Sequence, residues 1–422
     1  MTEIESAEKT PASHSPAPES ATATKSAAPM ARLVGVDLAR ALAVFGMFAV
    51  HVGPLATPGG GVGDWFLELA SGRASALFAT LAGFSLMLIA GRLEPKTGLA
   101  GRQARARIVI RAVILLVLGS ALAMTNFGGA GILNFYAVYF LLALPLLRLR
   151  ARTLAIIAVT LAVVMPQLAY VIRALLNESI VNSIDAYDPI ARLSGVGVLD
   201  LLLLGLYPAI TWMTFVVTGM ALGRLDLASG AVRRRLAVVG PALIAFGYGV
   251  SWLVLRLSGG AQKITAGMPA MKDLGAMKDP GMASGSFDTP VGGGLWGPDA
   301  WRLLAAEPHS GSTFDLIGSI GIAITALLCL TVAMDRLPWL RRLATPVIAV
   351  GTMSLTLYVG HILVILALPG EAATPPQSAS AALLLCFILG ATLFAAIWSR
   401  FFRRGPLEYL LNNATKLARH VR

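Results

Sequence analysis

The chain has 422 residues, of which 56% are hydrophobic and only 13% are charged, and its mean hydropathy is +0.73. Soluble domains carry about 25% charged residues, so this composition excludes an ordinary soluble enzyme, a disordered protein and a disulfide-rich secreted protein. It indicates a polytopic membrane protein. The formal net charge of +12 would suggest nucleic acid as a partner of a soluble protein, but basic cytoplasmic loops explain it in a membrane protein, and no nucleic acid is expected.

The N-terminal residues 1–30 are mostly Ala, Ser, Thr, Pro and Glu, with almost no large apolar side chains. Such a segment cannot bury a hydrophobic core, so we expect a disordered N-terminal tail. It lacks the apolar stretch of a signal peptide.

From Leu33 onward, apolar stretches alternate with short charged or Gly/Pro-rich connectors. Because a spanning helix needs about 20 apolar residues, the pattern predicts an all-α transmembrane bundle of about ten spans within residues 31–400. The predicted spans are 33–52, 74–91, 108–125, 131–147, 153–172, 201–222, 236–257, 313–334, 345–367 and 378–399.

Lys and Arg are concentrated in alternate connectors between these spans. The connector 92–111 holds six of them, whereas 126–130 and 368–377 hold none. Cytoplasmic loops are enriched in Lys and Arg, so this alternation predicts that both termini are cytoplasmic. Residues 401–422 then form a basic cytoplasmic tail, and the protein is expected in the plasma membrane.

Two predicted outer loops are long. Residues 173–200 are acidic, and residues 258–312 are rich in Gly, Pro and Met and repeat Ala-Met-Lys-Asp at 270–273 and 276–279. The methionines could suggest a soft-metal site, but a flexible low-complexity loop is the better interpretation.

Three ionisable residues of the first predicted span share one helical face. Arg40 and His51 differ by 20° around a helix axis and stand about 16 Å apart along it, and Asp37 projects on the same side. One interpretation is an ion pair of Asp37 with Arg40 that anchors the helix, with His51 at the interface. The other is a path for an anionic group on the inside with an imidazole base, His51, on the outside.

Further polar residues converge on the predicted outer side. Three of the five histidines are among the outer residues, and although a packing role is more common for any single His, three together favour a site. The outer candidates are Arg73, Glu68, His309, Asp315, Tyr358 and His361. No paired metal-ligand spacing occurs, and Cys329 and Cys386 lie in apolar runs, so no metal is expected.

The Arg40-x10-His51 spacing resembles the signature of membrane acyltransferase family three. Arg32, Asp37 and Arg40 followed by His51 also resemble the start of heparan-α-glucosaminide N-acetyltransferase-like proteins, and later segments are similar to the YeiB-type family of bacterial membrane proteins. These segments are Ser71-Gly-Arg-Ala-Ser-Ala-Leu-Phe78 with Gly83, Tyr207-Pro-Ala-Ile-Thr-Trp212 with Gly219 to Arg224, His309-Ser-Gly-Ser-Thr313, Gly351-Thr-Met-Ser-Leu-Thr-Leu-Tyr358 and Gly405-Pro-Leu-Glu-Tyr409.

The resemblance implies transmembrane acyl transfer from cytoplasmic acyl-CoA, with acetyl-CoA as the natural donor, to an extracytoplasmic sugar or glycolipid acceptor. It implies that Arg40 holds an anionic part of the donor and that His51 is the base or a transient acyl carrier. The relatives use a His in the loop after the first span, and residues 53–72 contain none. The relatives also suggest a homodimer.

Two other functions remain open. Ten spans with intramembrane charges also suit a transporter or flippase that performs no covalent chemistry, although the repeated halves common in transporters are not seen. A non-enzymatic membrane scaffold is the third interpretation. Release of CoA from an acyl donor would separate the acyltransferase from the transporter.

Overall fold

The computed structural model describes residues 33–54, 61–125, 131–260, 300–368 and 380–421. These residues form α-helices joined by short turns, and no β-strand occurs among them. The predicted all-α fold is therefore confirmed. The predicted disordered tail 1–30 and most of the long loop 258–312 lie outside the described residues.

Sixteen helices occur in the described parts of the chain. The first nine are α1 (Val34–Val52), α2 (Val62–Ala70), α3 (Arg73–Ala90), α4 (Gly98–Ala123), α5 (Ile132–Leu142), α6 (Ala151–Leu175), α7 (Glu178–Tyr187), α8 (Pro189–Ser194) and α9 (Ala209–Gly223). The others are α10 (Gly230–Ser258), α11 (Thr313–Arg336), α12 (Pro338–Leu343), α13 (Thr345–Thr352), α14 (Ser354–Ala367), α15 (Ala381–Phe401) and α16 (Pro406–Ala414).

Seven of these helices are long and apolar enough to cross a membrane, namely α1, α3, α4, α6, α10, α11 and α15. An eighth span is possible if α13 and α14, which meet at an angle of 86°, count as one broken span. The remaining two predicted spans correspond to α5 and α9, which are apolar but shorter. A multi-pass membrane protein is thus confirmed, while the count of ten spans and the orientation remain predictions.

Several predicted connectors contain helices of their own. The segment 173–200, expected as an outer loop, holds α7 and α8, whose first turns are capped by the side chains of Asn177 and Asp188. The predicted C-terminal tail 401–422 holds α16, and Gln103 of α4 donates to the carbonyl oxygen of Arg419 at 3.3 Å. The C-terminal segment is therefore packed on the bundle.

The centre of the bundle is formed by α1, α3 and α9. All residues of α9 except Ile210 are buried, whereas Ala395 alone is buried in α15. Helices α3 and α9 approach so closely that a Cβ atom on Gly219 would overlap the carbonyl oxygen of Thr80. Small residues at helix interfaces allow such close packing in membranes, and this core fixes the position of α1.

The break between α13 and α14 is held by α16. One carboxylate oxygen of Glu408 accepts hydrogen bonds from the backbone N–H groups of Leu355 (2.8 Å) and Thr356 (3.2 Å). Its other oxygen accepts from the Thr356 hydroxyl at 2.5 Å. A carboxylate at a helix N-terminus satisfies N–H groups that have no partner within the helix, so Glu408 stabilises the start of α14.

Candidate active site

The three ionisable residues of the first span lie on one uninterrupted helix, α1. The structure thus places all three on one helix, as the sequence predicted, while the polar stripe as a site stays a prediction. The two ends of the stripe have different partners.

Towards the N-terminal end of α1, Arg40 is held by three hydrogen bonds. Its Nη1 atom donates to Asp37 Oδ1 at 3.0 Å and to the carbonyl oxygen of Gly351 at 3.2 Å, and its Nη2 atom donates to Ser85 Oγ at 3.1 Å. The ion pair with Asp37 matches the first interpretation of the sequence. Because both terminal nitrogens have partners, the contacts favour a structural role for Arg40, and donor binding stays a prediction.

Gly351 allows this contact between Arg40 of α1 and the backbone of α13 to form. A Cβ atom at this position would overlap the carbonyl oxygen of Asp37, so α13 can lie against α1 at this point only with a glycine. Through its hydrogen bonds to Ser85 and Gly351, Arg40 thereby connects α1 with α3 and with α13.

At the C-terminal end of α1, His51 pairs with His361 of α14. The Nδ1 atom of His51 lies 2.8 Å from the Nε2 atom of His361, and the two rings are nearly parallel, with an interplanar angle of 5°. At this distance one ring donates and the other accepts, and the tautomers decide which. One imidazole therefore orients the other, as the partner of a general base or nucleophile does.

Aromatic side chains surround His361. Its ring centroid lies 4.8 Å from that of Phe48 and 5.3 Å from that of Tyr358, and His361 itself is only 4% exposed. The Tyr358 hydroxyl accepts a hydrogen bond from the backbone N–H of Ile132 at 3.3 Å. These contacts restrict rotation of the His361 ring and so hold it towards His51.

A second polar group begins at Arg73, the first residue of α3. Arg73 Nε donates to the hydroxyl of Tyr248 at 3.2 Å, and this hydroxyl lies 3.3 Å from Ser319 Oγ. Ser319 donates to Asp315 Oδ1 at 3.1 Å, and Asp315 Oδ2 accepts from the backbone N–H of Gly311 at 3.2 Å. The buried Asp315 carboxylate is therefore linked through the hydroxyl groups of Ser319 and Tyr248 to the guanidinium group of Arg73.

His309 lies on the connector before α11, in a strained backbone conformation with φ of 61°. Its ring stacks on Trp212, with centroids 6.0 Å apart and planes at 19°, and it meets Tyr207 edge-on at 5.5 Å. Burial, and secondly the charge of Arg73, lowers the pKa of His309 to about 4. Its Nδ1 atom is buried and has no hydrogen-bond partner among the described residues.

The structure thus divides the predicted site residues into three groups. The first is the ion pair of Asp37 with Arg40. The second is the histidine pair of His51 and His361 with Tyr358 beside it. The third is the second polar group, with Arg73, Asp315 and His309. Glu68 lies exposed on α2. Within the described ranges, no three His, Cys, Asp or Glu residues are grouped in a way that could hold a metal ion.

Sequence reasoning missed four contributors to these groups, namely Ser85, Tyr248, Ser319 and Glu408. Tyr248 lies in a π-helical turn, Ala245–Val250, inside α10. Such turns are frequent at functional sites, but the apolar run around Tyr248 gives no sign of one in the sequence. Glu408 lies in the Gly405-Pro-Leu-Glu-Tyr409 segment, and the resemblance of that segment to a family motif is the sequence feature that points to Glu408.

Two family comparisons cover most of the chain outside the N-terminal tail. Residues 32–247, slightly more than half of the chain, match the family described as heparan-alpha-glucosaminide N-acetyltransferase, catalytic. Residues 289–418 match the family described as protein of unknown function (DUF418). No curated protein matches the chain. His51 belongs to the first matched segment and His361 to the second, so the histidine pair joins the two.

Proposed function

This chain belongs to the family of heparan-alpha-glucosaminide N-acetyltransferase catalytic domains, and from that membership we propose that it is a membrane acyltransferase. Cytoplasmic acyl-CoA, in the simplest case acetyl-CoA, donates the acyl group. The acceptor is a hydroxyl or amine of a sugar or glycolipid on the extracytoplasmic side, and the protein is a multi-pass protein of the plasma membrane.

The contact between His51 and His361 is the observation that supports this function most strongly. A neutral imidazole of His51 removes the proton of the acceptor hydroxyl or amine as the acceptor attacks the thioester carbonyl carbon. The new bond forms to that carbon, the C–S bond breaks, and the thiolate of CoA leaves and takes up a proton. His361 orients the His51 ring and shares the proton during the transfer.

Hydrogen-bond donors must stabilise the oxyanion that forms on the thioester carbonyl. In the proposed scheme, Tyr358 and Arg73 are the candidates for this role. Tyr358 contacts His361 directly, whereas Arg73 is bound to Tyr248 and to the carbonyl oxygen of Ser71 at 3.1 Å. The proximity of Tyr358 to the histidine pair favours Tyr358.

The experiment that tests this function is release of CoA thiol from acetyl-CoA by the purified full-length protein, with cell-envelope glycan extract as acceptor. We expect release by the wild type and loss of release in His51→Ala, with the variant still folded. His420→Ala, which removes an exposed C-terminal histidine, is the matched control and should keep full activity. Full activity in folded His51→Ala would contradict the proposal.

A transporter or flippase is the second candidate, and one observation favours it. The 86° break between α13 and α14 resembles the interrupted helices that form substrate sites in transporters. Solute uptake into vesicles without any release of CoA in the presence of acceptor extract would support this alternative over acyl transfer.

A further inference from the structure

Three arginines lie close together where α16 packs on α4. Arg107 and Arg111 stand four residues apart on α4, so their side chains are neighbours on one face of that helix. Arg404, in the segment between α15 and α16, lies near enough for its positive charge to act on Arg111, as the charge of Arg107 does. These three residues form the arginine cluster.

No acid of the described residues neutralises the arginine cluster. None of its three members forms an ion pair within the described ranges. The acid nearest to Arg404 in the chain is Glu408, and its carboxylate is bound to the first turn of α14. The cluster therefore brings three positive charges together without a negative one.

Arg111 also has a hydrogen-bond donor that is not used. Its Nε atom is buried and has no partner among the described residues. A buried cationic donor without an acceptor is costly, and so is the approach of like charges. Basic loops on one side of a membrane explain an exposed arginine such as Arg105, but not an arginine held in this position. An anionic group that accepts from Arg111 would remove both costs.

The arginine cluster lies at the edge of an apolar surface. From Ala112 to Leu118, α4 carries only apolar side chains. Ile114 and Leu118, three and seven residues after Arg111, continue its face of the helix and are partly exposed. On a helix long and apolar enough to span a membrane, such side chains face hydrocarbon chains.

A tryptophan marks the same level on α15. The Nε1 atom of Trp398 donates to the main-chain carbonyl oxygen of Arg404 at 2.8 Å, and the Trp398 ring stacks on Phe402 with centroids 4.5 Å apart. Trp is enriched where membrane helices meet the lipid head groups. The arginine cluster is therefore at head-group level, with the apolar part of α4 beside it.

We propose that the arginine cluster binds the phosphate of an anionic phospholipid whose acyl chain lies along Ile114 and Leu118. Guanidinium groups form charge-assisted hydrogen bonds to phosphate oxygens, and basic pockets between membrane helices bind anionic head groups. The uncompensated charges select an anionic head group over a zwitterionic one, whose ammonium group they would repel. Bound there, the lipid connects α4 to the segment that leads into α16.

The first experiment measures binding of phosphatidylglycerol and phosphatidylcholine to the purified full-length protein by native mass spectrometry. We expect the wild type to bind phosphatidylglycerol more tightly. One arginine at a membrane surface contributes about fivefold in affinity for an anionic lipid, so Arg111→Gln and Arg404→Gln should each weaken phosphatidylglycerol binding at least about fivefold. Phosphatidylcholine binding should change little.

Arg105→Gln is the matched control, because Arg105 is exposed on another face of α4 and its charge is not among those that act on Arg111. It should bind phosphatidylglycerol as the wild type does. Arg404 is exposed in a segment outside the helices, so we expect Arg404→Gln to fold even where Arg111→Gln does not. Equal binding of the two lipids by the wild type, or unchanged phosphatidylglycerol binding in Arg404→Gln, would overturn the proposal.

CoA also carries phosphate groups, and a second experiment separates the two sources of phosphate. The thermal unfolding temperature of the full-length protein is measured with phosphatidylglycerol and with CoA. Phosphatidylglycerol should raise it in the wild type and in Arg105→Gln, and much less in Arg404→Gln, whereas any effect of CoA should be the same in all three. A CoA effect that is lost in Arg404→Gln, or displacement of bound phosphatidylglycerol by CoA, would assign the cluster to nucleotide phosphates and overturn the lipid proposal.

Discussion

The two ends of α1 carry polar groups of opposite character. Towards its N-terminal end a full charge, Arg40, is neutralised by Asp37 and fixed by Ser85 and Gly351. At its C-terminal end two imidazoles, His51 and His361, lie with ring nitrogens 2.8 Å apart. A charge inside a membrane protein is retained when it is paired, whereas a neutral imidazole carries one nitrogen that donates and one that accepts a hydrogen bond. In the proposed scheme the Arg40 end therefore holds the bundle together, and the His51 end performs the chemistry.

After removal of His51 itself, the largest effect is expected from removal of His361. In His361→Ala, His51 loses the group that orients it, so the rate of CoA release per folded protein should fall by a factor of about 10² or more. His361→Gln retains a hydrogen-bonding group at the same place and should fall less. The rate is measured by thiol release, and equal rates for wild type and His361→Ala would show that the pair has no role in transfer.

The next effect is on stability, at Arg40. Arg40→Gln removes the ion pair with Asp37 and weakens the hydrogen bonds to Ser85 and Gly351, which should cost about 3–5 kcal/mol of folding free energy and lower the thermal unfolding temperature markedly. The double variant Asp37→Asn/Arg40→Gln removes both charges and should be less damaged than Arg40→Gln alone. Arg234→Gln, at an exposed position of α10, is the matched control.

Arg40→Lys separates the structural role from donor binding. Lys keeps the charge but cannot form the planar set of hydrogen bonds, so we expect a lower unfolding temperature with an unchanged KM for acyl-CoA. The opposite result, normal stability with a raised KM, would assign Arg40 to the donor and remove the contrast between the two ends.

A smaller effect is expected at the helix break that carries His361. Glu408→Gln weakens charge-assisted hydrogen bonds to Leu355 and Thr356, which should cost about 1–3 kcal/mol. We expect a lower kcat as well, because α14 positions His361. Glu94→Gln, which changes an exposed acid between α3 and α4, should alter neither quantity. A wild-type unfolding temperature in Glu408→Gln would show that α16 does not hold the break.

The smallest effect concerns acid stability. The pKa of His309 is about 4 in the folded protein against an ordinary value of 6.5, so above pH 6.5 it is neutral in both the folded and unfolded states. Between pH 6.5 and about 4 the unfolded chain binds a proton that the folded protein does not, and stability falls as pH falls. His309→Gln should lose less stability over this range, as measured by thermal unfolding. Parallel losses in both proteins would contradict the low pKa.

The sequence was sufficient for the parts of this account that depend on local pattern. Hydropathy predicted a helical membrane protein, and the apolar run from Leu33 predicted one helix that carries Asp37, Arg40 and His51, as α1 does. The ion pair between Asp37 and Arg40, three positions apart, is one of the two interpretations that the sequence allows. Each of these inferences uses residues within one helix, where geometry follows from spacing alone.

The contacts between distant residues could not be predicted in this way. His51 and His361 are separated by 310 positions, and no spacing rule indicates that α1 and α14 lie side by side. The break at Met353 also depends on a distant contact. The apolar run 345–367 predicts one helix, whereas the structure has two. Glu408 of α16 accepts hydrogen bonds from the first turn of α14 and so explains why α14 begins at Ser354. Short helices such as α7 and α8 lack a long apolar period and were expected as loop.

The contrast between the two ends of α1 is tested most directly by His51→Gln and Arg40→Gln measured side by side. For each protein in one nanodisc preparation, both the rate of CoA release per folded molecule and the thermal unfolding temperature are determined. We predict that His51→Gln loses release and keeps the wild-type unfolding temperature, whereas Arg40→Gln loses stability and keeps release in its folded fraction. The reverse pattern, with release intact in His51→Gln and lost in stably folded Arg40→Gln, would contradict the assignment of chemistry to the histidine pair.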